Sequence, residues 1–221
     1  GNGRPRHHRT RLERRRRDFN RSTRRRERPH QAYRSTAIDK ANVAGGEIAG
    51  QDPTRRWIVD PLDGTLNFLH GQPHYAVSIA LEREGELLTG VVYDVAKNEM
   101  FWAETGRGAW VEQRKLRVAA RRKLTESVIA TGTPWHGKAE DIHTGFAREI
   151  LAMTPACAGI RLYGSAALDL AWVAAGRFDG FWERELKPWD IAAGLVLVRE
   201  AGGMVSEIDG GDDNDDGEGQ P

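Results

Sequence analysis

The segment WIVDPLDGTLNFLHG (57–71) sets Asp60 and Asp63 three residues apart at the end of an apolar run, with a glycine and a threonine directly behind them. Two carboxylates this near repel unless a cation lies between them. Mg2+ suits the set, because it takes oxygen ligands and prefers a few carboxylates together with waters and a substrate phosphate. The carbonyl of Leu62, between the two acids, is a further hard oxygen donor. Pro61 fixes φ and removes a donor, the chain turns, and Asp63 returns beside Asp60. Gly64 lets the backbone approach a ligand closely. If a helix or nest begins there, the N–H groups of Gly64 and Thr65 point at an anion, and the Thr65 hydroxyl can orient a metal-bound water. The competing reading is a plain Asp-Gly turn with Asp60 as a cap.

A second segment, ELKPWDIAAG, places Asp190 in the first turn of an apolar helix. There it is either a partner for the helix dipole, worth about 0.3–1 kcal/mol, or a third carboxylate that completes a two-metal site. Other noticeable residues read as structural. His70 and His74 flank GQP as loop or rim residues, and Trp57, Trp102, Trp110, Trp172 and Trp182 read as core or half-buried aromatics. Cys157, the single cysteine, reads as a small semi-buried residue, and it excludes both an intrachain disulfide and a metal-thiolate cluster.

The elements that must position these groups follow from periodicity. Apolar runs over 55–60, 74–84, 86–104 (two strands around AKN) and 108–112 predict an antiparallel meander. Further strands are predicted over 127–132, 159–164, 177–183 and 204–209. Ile142, Phe146, Ile150 and Met153 have helical spacing within 138–153. A helix over 165–176 has Ser165 as N-cap and Gly176 past its end. Another, over 188–203, has Pro188 in its first turn and Gly202 at its stop.

The ends have a different texture. The 221-residue chain has a net charge of +1, but fourteen arginines and three acids in residues 1–34 give that stretch +11 and leave −10 for the rest. Residues 1–44 have almost no aliphatic residues and no apolar period, so they are expected to be disordered or helical only in patches. The reading divides the chain into that segment, a core at 45–211, and an acidic Gly/Asp tail at 212–221. No apolar run approaches the roughly 18 residues that span a bilayer, and the N-terminus lacks the apolar core of a signal peptide. A cytoplasmic setting and no membrane partner are the expectation.

WIVDPLDGTLNFLHG and KPWDIAAGLVLVREAGG resemble the two signature segments of the inositol monophosphatase family, in order and in separation. The resemblance runs from about Glu47 to Gly211. It implies an alternating α-β-α-β-α sandwich, incomplete at both ends, and hydrolysis of a small phosphate monoester, inositol monophosphate first among them. It implies two or three Mg2+ ions held by Asp60, Asp63, Asp190 and the Leu62 carbonyl, and phosphate held by the Gly64 and Thr65 backbone. The segment LYGSAALDLAWVAAGRFDGFWE resembles the family's substrate side. Gly164, Ser165 and Ala166 would line the sugar or cyclitol pocket, with Asp190 beside it. Glu183, seven residues before Asp190, would bind a substrate hydroxyl, with Glu185 as its rival. The metals would neutralise the phosphate and activate a water for in-line attack, and no covalent phosphoenzyme is implied. A homodimer is also implied.

The chain departs from the family pattern at a Glu-Glu pair that normally stands directly before a segment like GGEIAG. Val43 and Ala44 occupy those positions, and Glu47 lies three residues later. Impaired activity is therefore expected. Loss of family texture at both ends is also what a GC-rich gene read out of frame would produce. Sugar, fructose-1,6-bisphosphate, histidinol phosphate and nucleotide 3′-phosphate phosphatases share the signatures and remain alternatives. A non-catalytic reading remains as well, in which the arginines of residues 1–34 bind nucleic-acid phosphates without sequence preference.

Overall fold

The structure is a computed structural model that describes residues 46–49, 54–134 and 137–208. The expectations for residues 1–44, for the Glu47 side chain and for the 212–221 tail lie outside the described residues. Among the described residues, seven strands form an antiparallel sheet in sequence order: β1 Gly46–Ala49, β2 Arg55–Asp63, β3 Ala76–Arg83, β4 Glu86–Asp94, β5 Glu99–Glu104, β6 Gly108–Val111 and β7 Arg114–Lys115. The expected meander is present, with β1 and β7 added at its edges. GEIA has no alternating pattern of its own, and it is extended because each residue from Gly46 to Ala49 has a partner on β2.

Part of the inner face of this sheet is built from small residues. Ala76 and Ala80 on β3, Gly90 on β4 and Ala103 on β5 are buried there. That allows the helix Pro188–Glu200 to lie directly on the strands. A methyl group at Gly90 would sit 2.9 Å from the Ala193 α-carbon, so side-chain-free backbone is what permits the approach. This helix carries buried side chains around most of its circumference, as an internal helix must.

A second, three-stranded sheet has the order β10-β8-β9, with β8 Val128–Thr131, β9 Gly159–Arg161 and β10 Gly180–Trp182 all parallel. Naming helices in chain order, α1 is Thr65–Leu69, α2 Glu140–Met153, α3 Ala166–Ala174 and α4 Pro188–Glu200. The crossovers β8–α2–β9 and β9–α3–β10 run in opposite directions along the small sheet. Right-handed connections then put α2 and α3 on opposite faces. The contacts agree: α3 touches β8 and β10 on one side and β3, β4 and α4 on the other. On the far face, Glu149 of α2 accepts hydrogen bonds from Trp182 Nε1 at 3.0 Å and Arg184 Nε at 2.6 Å. The described layers are thus sheet, helix pair, sheet, helix, in keeping with the expected α/β sandwich.

Three expectations need correction. Residues 204–207 form no strand: Met204 is fully exposed and only Val205 packs on the core. Trp57 is an exposed outward residue of β2, because its neighbour Ile58 takes the buried face. His74 is no rim residue. It is half-buried in edge-on contact with Tyr163 and Trp172, and burial, with the Lys97 charge, pushes its pKa down to about 4.

Candidate active site

Residues three apart on a regular strand point to opposite faces. On β2, however, Asp60 pairs with Ser78 and Asp63 with Ala76, so three steps on β2 answer two on β3. The extra residue is a bulge at Pro61–Leu62, a place where a missing N–H costs the ladder nothing. The bulge puts Asp60 and Asp63 on the same side. The Leu62 N–H donates to Asp60 Oδ1 at 2.9 Å and closes the local turn.

Asp190 arrives from 127 residues further along the chain. It is the third residue of α4, and its Oδ2 accepts the Lys187 N–H at 2.7 Å, capping the start of the helix. Besides capping α4, Asp190 comes close to the other two acids: Asp60, Asp63 and Asp190 each offer a carboxylate oxygen, and these lie within 4.8 Å of one another. Asp63 is the buried member, 8% exposed, and burial pushes its pKa up to about 7, with the charges of Asp60 and Asp190 adding to the rise. Burial also raises Asp60 and Asp190. A divalent cation relieves both the desolvation of these groups and their mutual repulsion, and hard oxygen donors are what it takes. The residues present fit such an ion.

The turn after Asp63 is equally constrained. Gly64 has φ +79°, and a methyl group there would lie 2.9 Å from the His74 carbonyl oxygen. It precedes α1, whose first N–H groups have no intrahelical partner. The Thr65 hydroxyl donates to the Leu62 carbonyl at 2.7 Å, leaving its own lone pairs free to accept. Asn67, which sequence reasoning passed over, ties this turn to the substrate-side segment. Its Nδ2 donates to the carbonyls of His74 (2.8 Å), Tyr163 (2.7 Å) and Gly164 (3.3 Å). An asparagine in an apolar LNFL run was the one signal available.

The substrate-side segment is placed as follows. Gly164 is exposed with φ +73°, whereas Ser165 and Ala166 are buried. Ser165 occupies the N-cap of α3 but does not cap it. Its Oγ donates to Asp63 Oδ2, and the same oxygen accepts the Ala167 N–H at 3.1 Å. Asp63 therefore caps α3 from another strand, and Ser165 orients Asp63. Glu183 stands at the carboxyl end of β10, where burial and the charges of Asp63 and Asp190 push it up to about 7. Its rival Glu185 pairs instead with Lys138 at 2.9 Å. Asp169, on α3, was also not anticipated. It is 1% exposed, neither carboxylate oxygen has a hydrogen-bond partner, and burial together with the charges of Glu183 and Asp63 pushes it up to about 8.

A layered α/β core with three carboxylates converging beside a glycine turn defines a class of cation-binding α/β proteins. Within that class the comparisons are specific. The model of the inositol monophosphatase family matches residues 14–219, and the chain belongs to that family. An inositol-1-monophosphatase of Rhizobium meliloti (strain 1021) is 56% identical over 167 residues, covering 76% of this chain and 62% of the relative. A Nus factor SuhB of Escherichia coli (strain K12) is 49% identical over 166 residues, 75% of this chain and 61% of its own length. The crystal structure of extragenic suppressor protein suhB from Bartonella henselae aligns with TM-score 0.72 at 52% identity, over 75% of this chain and 64% of that one. The chain thus spans about 62% of the length of the curated relatives it matches.

Proposed function

We propose that the chain is built for Mg2+-dependent hydrolysis of a small phosphate monoester, inositol monophosphate in the first place. The observation that carries this reading is the convergence of Asp60, Asp63 and Asp190 within 4.8 Å beside the Gly64–Thr65 turn. Its substrate is supported by the activity named for the Rhizobium meliloti relative. Asp60, Asp63, Asp190 and the Leu62 carbonyl would hold two or three ions. When bound, these would supply charge neutralisation for a phosphate group and a lowered pKa for an attacking water. The protein's own part is positioning. The Gly64 and Thr65 N–H groups would face the phosphate oxygens, and the Thr65 hydroxyl, its own hydrogen given to the Leu62 carbonyl, would accept a hydrogen bond from the attacking water and so aim it. Ser165 and the Ala167 N–H keep Asp63 in one orientation. Gly164, Ser165, Ala166, Glu183 and Asp190 would border the space for the polyol, with Glu183 accepting a hydrogen bond from one of its hydroxyls.

In this reading Val43 and Ala44 reduce turnover, since neither supplies an oxygen where the family has a glutamate. The test is phosphate release from a panel of inositol, sugar, histidinol and nucleotide 3′-phosphates with and without Mg2+. Activity independent of Mg2+, or unchanged in Asp63→Asn, would remove the proposal. A homodimer belongs to the same reading, supported by the exposed Leu66, Phe68 and Leu69 on α1 and the nearby exposed Leu162 and Tyr163. Sedimentation as a monomer would remove that part.

A second reading rests on the fourteen arginines of residues 1–34 and on the SuhB relative named as a Nus factor. Here the chain binds nucleic-acid phosphates. Filter binding across a salt series decides it: a steep fall of affinity with salt supports it, and weak binding already at low salt removes it.

A further inference from the structure

β8 and β10 are parallel neighbours, and the last pair of their ladder is Thr131 with Trp182. The next residues along, Gly132 and Glu183, are therefore side by side at the carboxyl ends of the strands, where open α/β sheets place their ligands. Glu183 does not extend straight out from this edge. Its carboxylate lies over Gly132, so closely that a methyl group at position 132 would overlap Oε1, Cδ and Oε2 at once. Gly132 is buried and has an ordinary backbone φ, so no left-handed conformation explains a glycine there. What a side chain there would displace is the neighbouring carboxylate.

We propose that Gly132 is a positioning residue for Glu183: its bare α-carbon sets where the carboxylate lies, and so which hydroxyl of a bound polyol phosphate the chain recognises. The inference rests on the phosphatase reading above and names the origin of its specificity. The cleft beside these two residues is also lined by Thr133, Glu149, Arg184 and Glu185. Two of its three carboxylates are engaged elsewhere: Glu149 accepts from Trp182 and Arg184, and Glu185 pairs with Lys138. Glu183 is the carboxylate that lies against Gly132. Displacing it by a methyl group moves the acceptor while leaving Asp60, Asp63, Asp190 and the Gly64–Thr65 turn in place.

The experiment is titration calorimetry in Mg2+ with two probes, inositol 1-phosphate and inorganic phosphate, on Gly132→Ala, Glu183→Asp and the double variant. Inorganic phosphate has no hydroxyl for Glu183 to hold. Gly132→Ala is expected to weaken inositol 1-phosphate about ten- to hundredfold, the range for losing a hydrogen bond to a charged group. Inorganic phosphate should change by no more than about twofold. Aspartate is shorter by one methylene, so Glu183→Asp should weaken the polyol probe alone yet regain affinity in the Gly132→Ala background. A general packing defect does not produce that rescue. Equal loss for both probes, no loss, or a double variant worse than either single one would overturn the proposal while leaving the phosphatase reading standing. If the unaltered protein binds neither probe, the phosphatase reading itself fails and this inference goes with it. A urea denaturation cycle on Gly132→Ala and Glu183→Ala reads the contact without ligand: additive effects there also overturn it.

Discussion

Asp169 shows what a single side chain does when packing removes its partners. Its folded pKa is pushed up to about 8, well above the ordinary aspartate value near 3.9. A raised acid is protonated in the fold, so the stability it allows is fully present below the unfolded pKa and is lost as pH rises through about 8. Asparagine keeps the shape and cannot ionise. Asp169→Asn is expected to match the parent only below about pH 3.9 and to gain on it steadily as pH rises to about 8, by at least about 1–3 kcal/mol, measured by urea midpoints across pH. Parallel pH profiles for the two proteins would show that Asp169 is solvated. A second residue-scale prediction concerns Val43 and Ala44, whose side chains carry no oxygen. Orienting a water supplies part of the roughly 7–11 kcal/mol available from positioning. Losing about 3–4 kcal/mol of it lowers turnover by roughly 10²–10³. Val43→Glu with Ala44→Glu should recover that factor in turnover at saturating inositol monophosphate, with little change in KM. Family-like turnover in the unaltered chain, abolished by Glu47→Ala, would assign the role to Glu47.

At the scale of elements, the β2 bulge and the Gly64 turn act as one device. The bulge sets both aspartates on one side of the strand, and Gly64 turns the chain into α1 in a left-handed conformation. A β-carbon at Gly64 meets a backbone carbonyl that no rotamer change can move. Gly64→Ala is expected to cost about 2–4 kcal/mol, from the left-handed conformation and from overpacking together. Thermal denaturation measures it, and a loss below about 1 kcal/mol would mean that the turn relaxes freely. The start of α4 has a dual character, since the carboxylate that accepts the Lys187 N–H is also one of the three that converge. Asp190→Asn should therefore retain a capped helix and lose cation affinity, a separation that circular dichroism and metal titration read independently.

For the whole molecule, an ion held by the acidic cluster, as proposed, would couple its binding to folding. Asp60 and Asp63 come from the large sheet, Asp190 from α4, and Asp63 also holds the N-terminus of α3. An ion on these carboxylates binds the assembled fold and not the unfolded chain. Mg2+ at about 100 times its Kd should add about 2.7 kcal/mol, or roughly 5–10 °C in Tm for a chain of this size. Asp60→Asn should abolish the shift. An unchanged Tm in the unaltered protein across a Mg2+ series would contradict the cation site. Among the described residues no helix is long and apolar enough to cross a membrane.

Much of the site was legible in two short segments, because local chemistry is written locally. A proline and a glycine around paired aspartates mark a turn with a ligand, and an acid in the first turn of an apolar helix marks a cap. Apolar periodicity placed the meander, α2, α3 and α4 for the same reason: each element must bury one face. What lay outside local reach depends on residues far apart in sequence. That Asp60 and Asp63 share a side was decided by the register with β3, not by their spacing. That Ser165 turns from its own helix to Asp63 follows from the packing of α3 against the strand end. That Glu183 feels the charges of Asp63 and Asp190 whereas Glu185 pairs with Lys138 follows from which residue stands beside Gly132. The raised acids were invisible for a further reason. Desolvation is not a property of a residue type; it exists only once sheet and helices have closed around the carboxylates and excluded water.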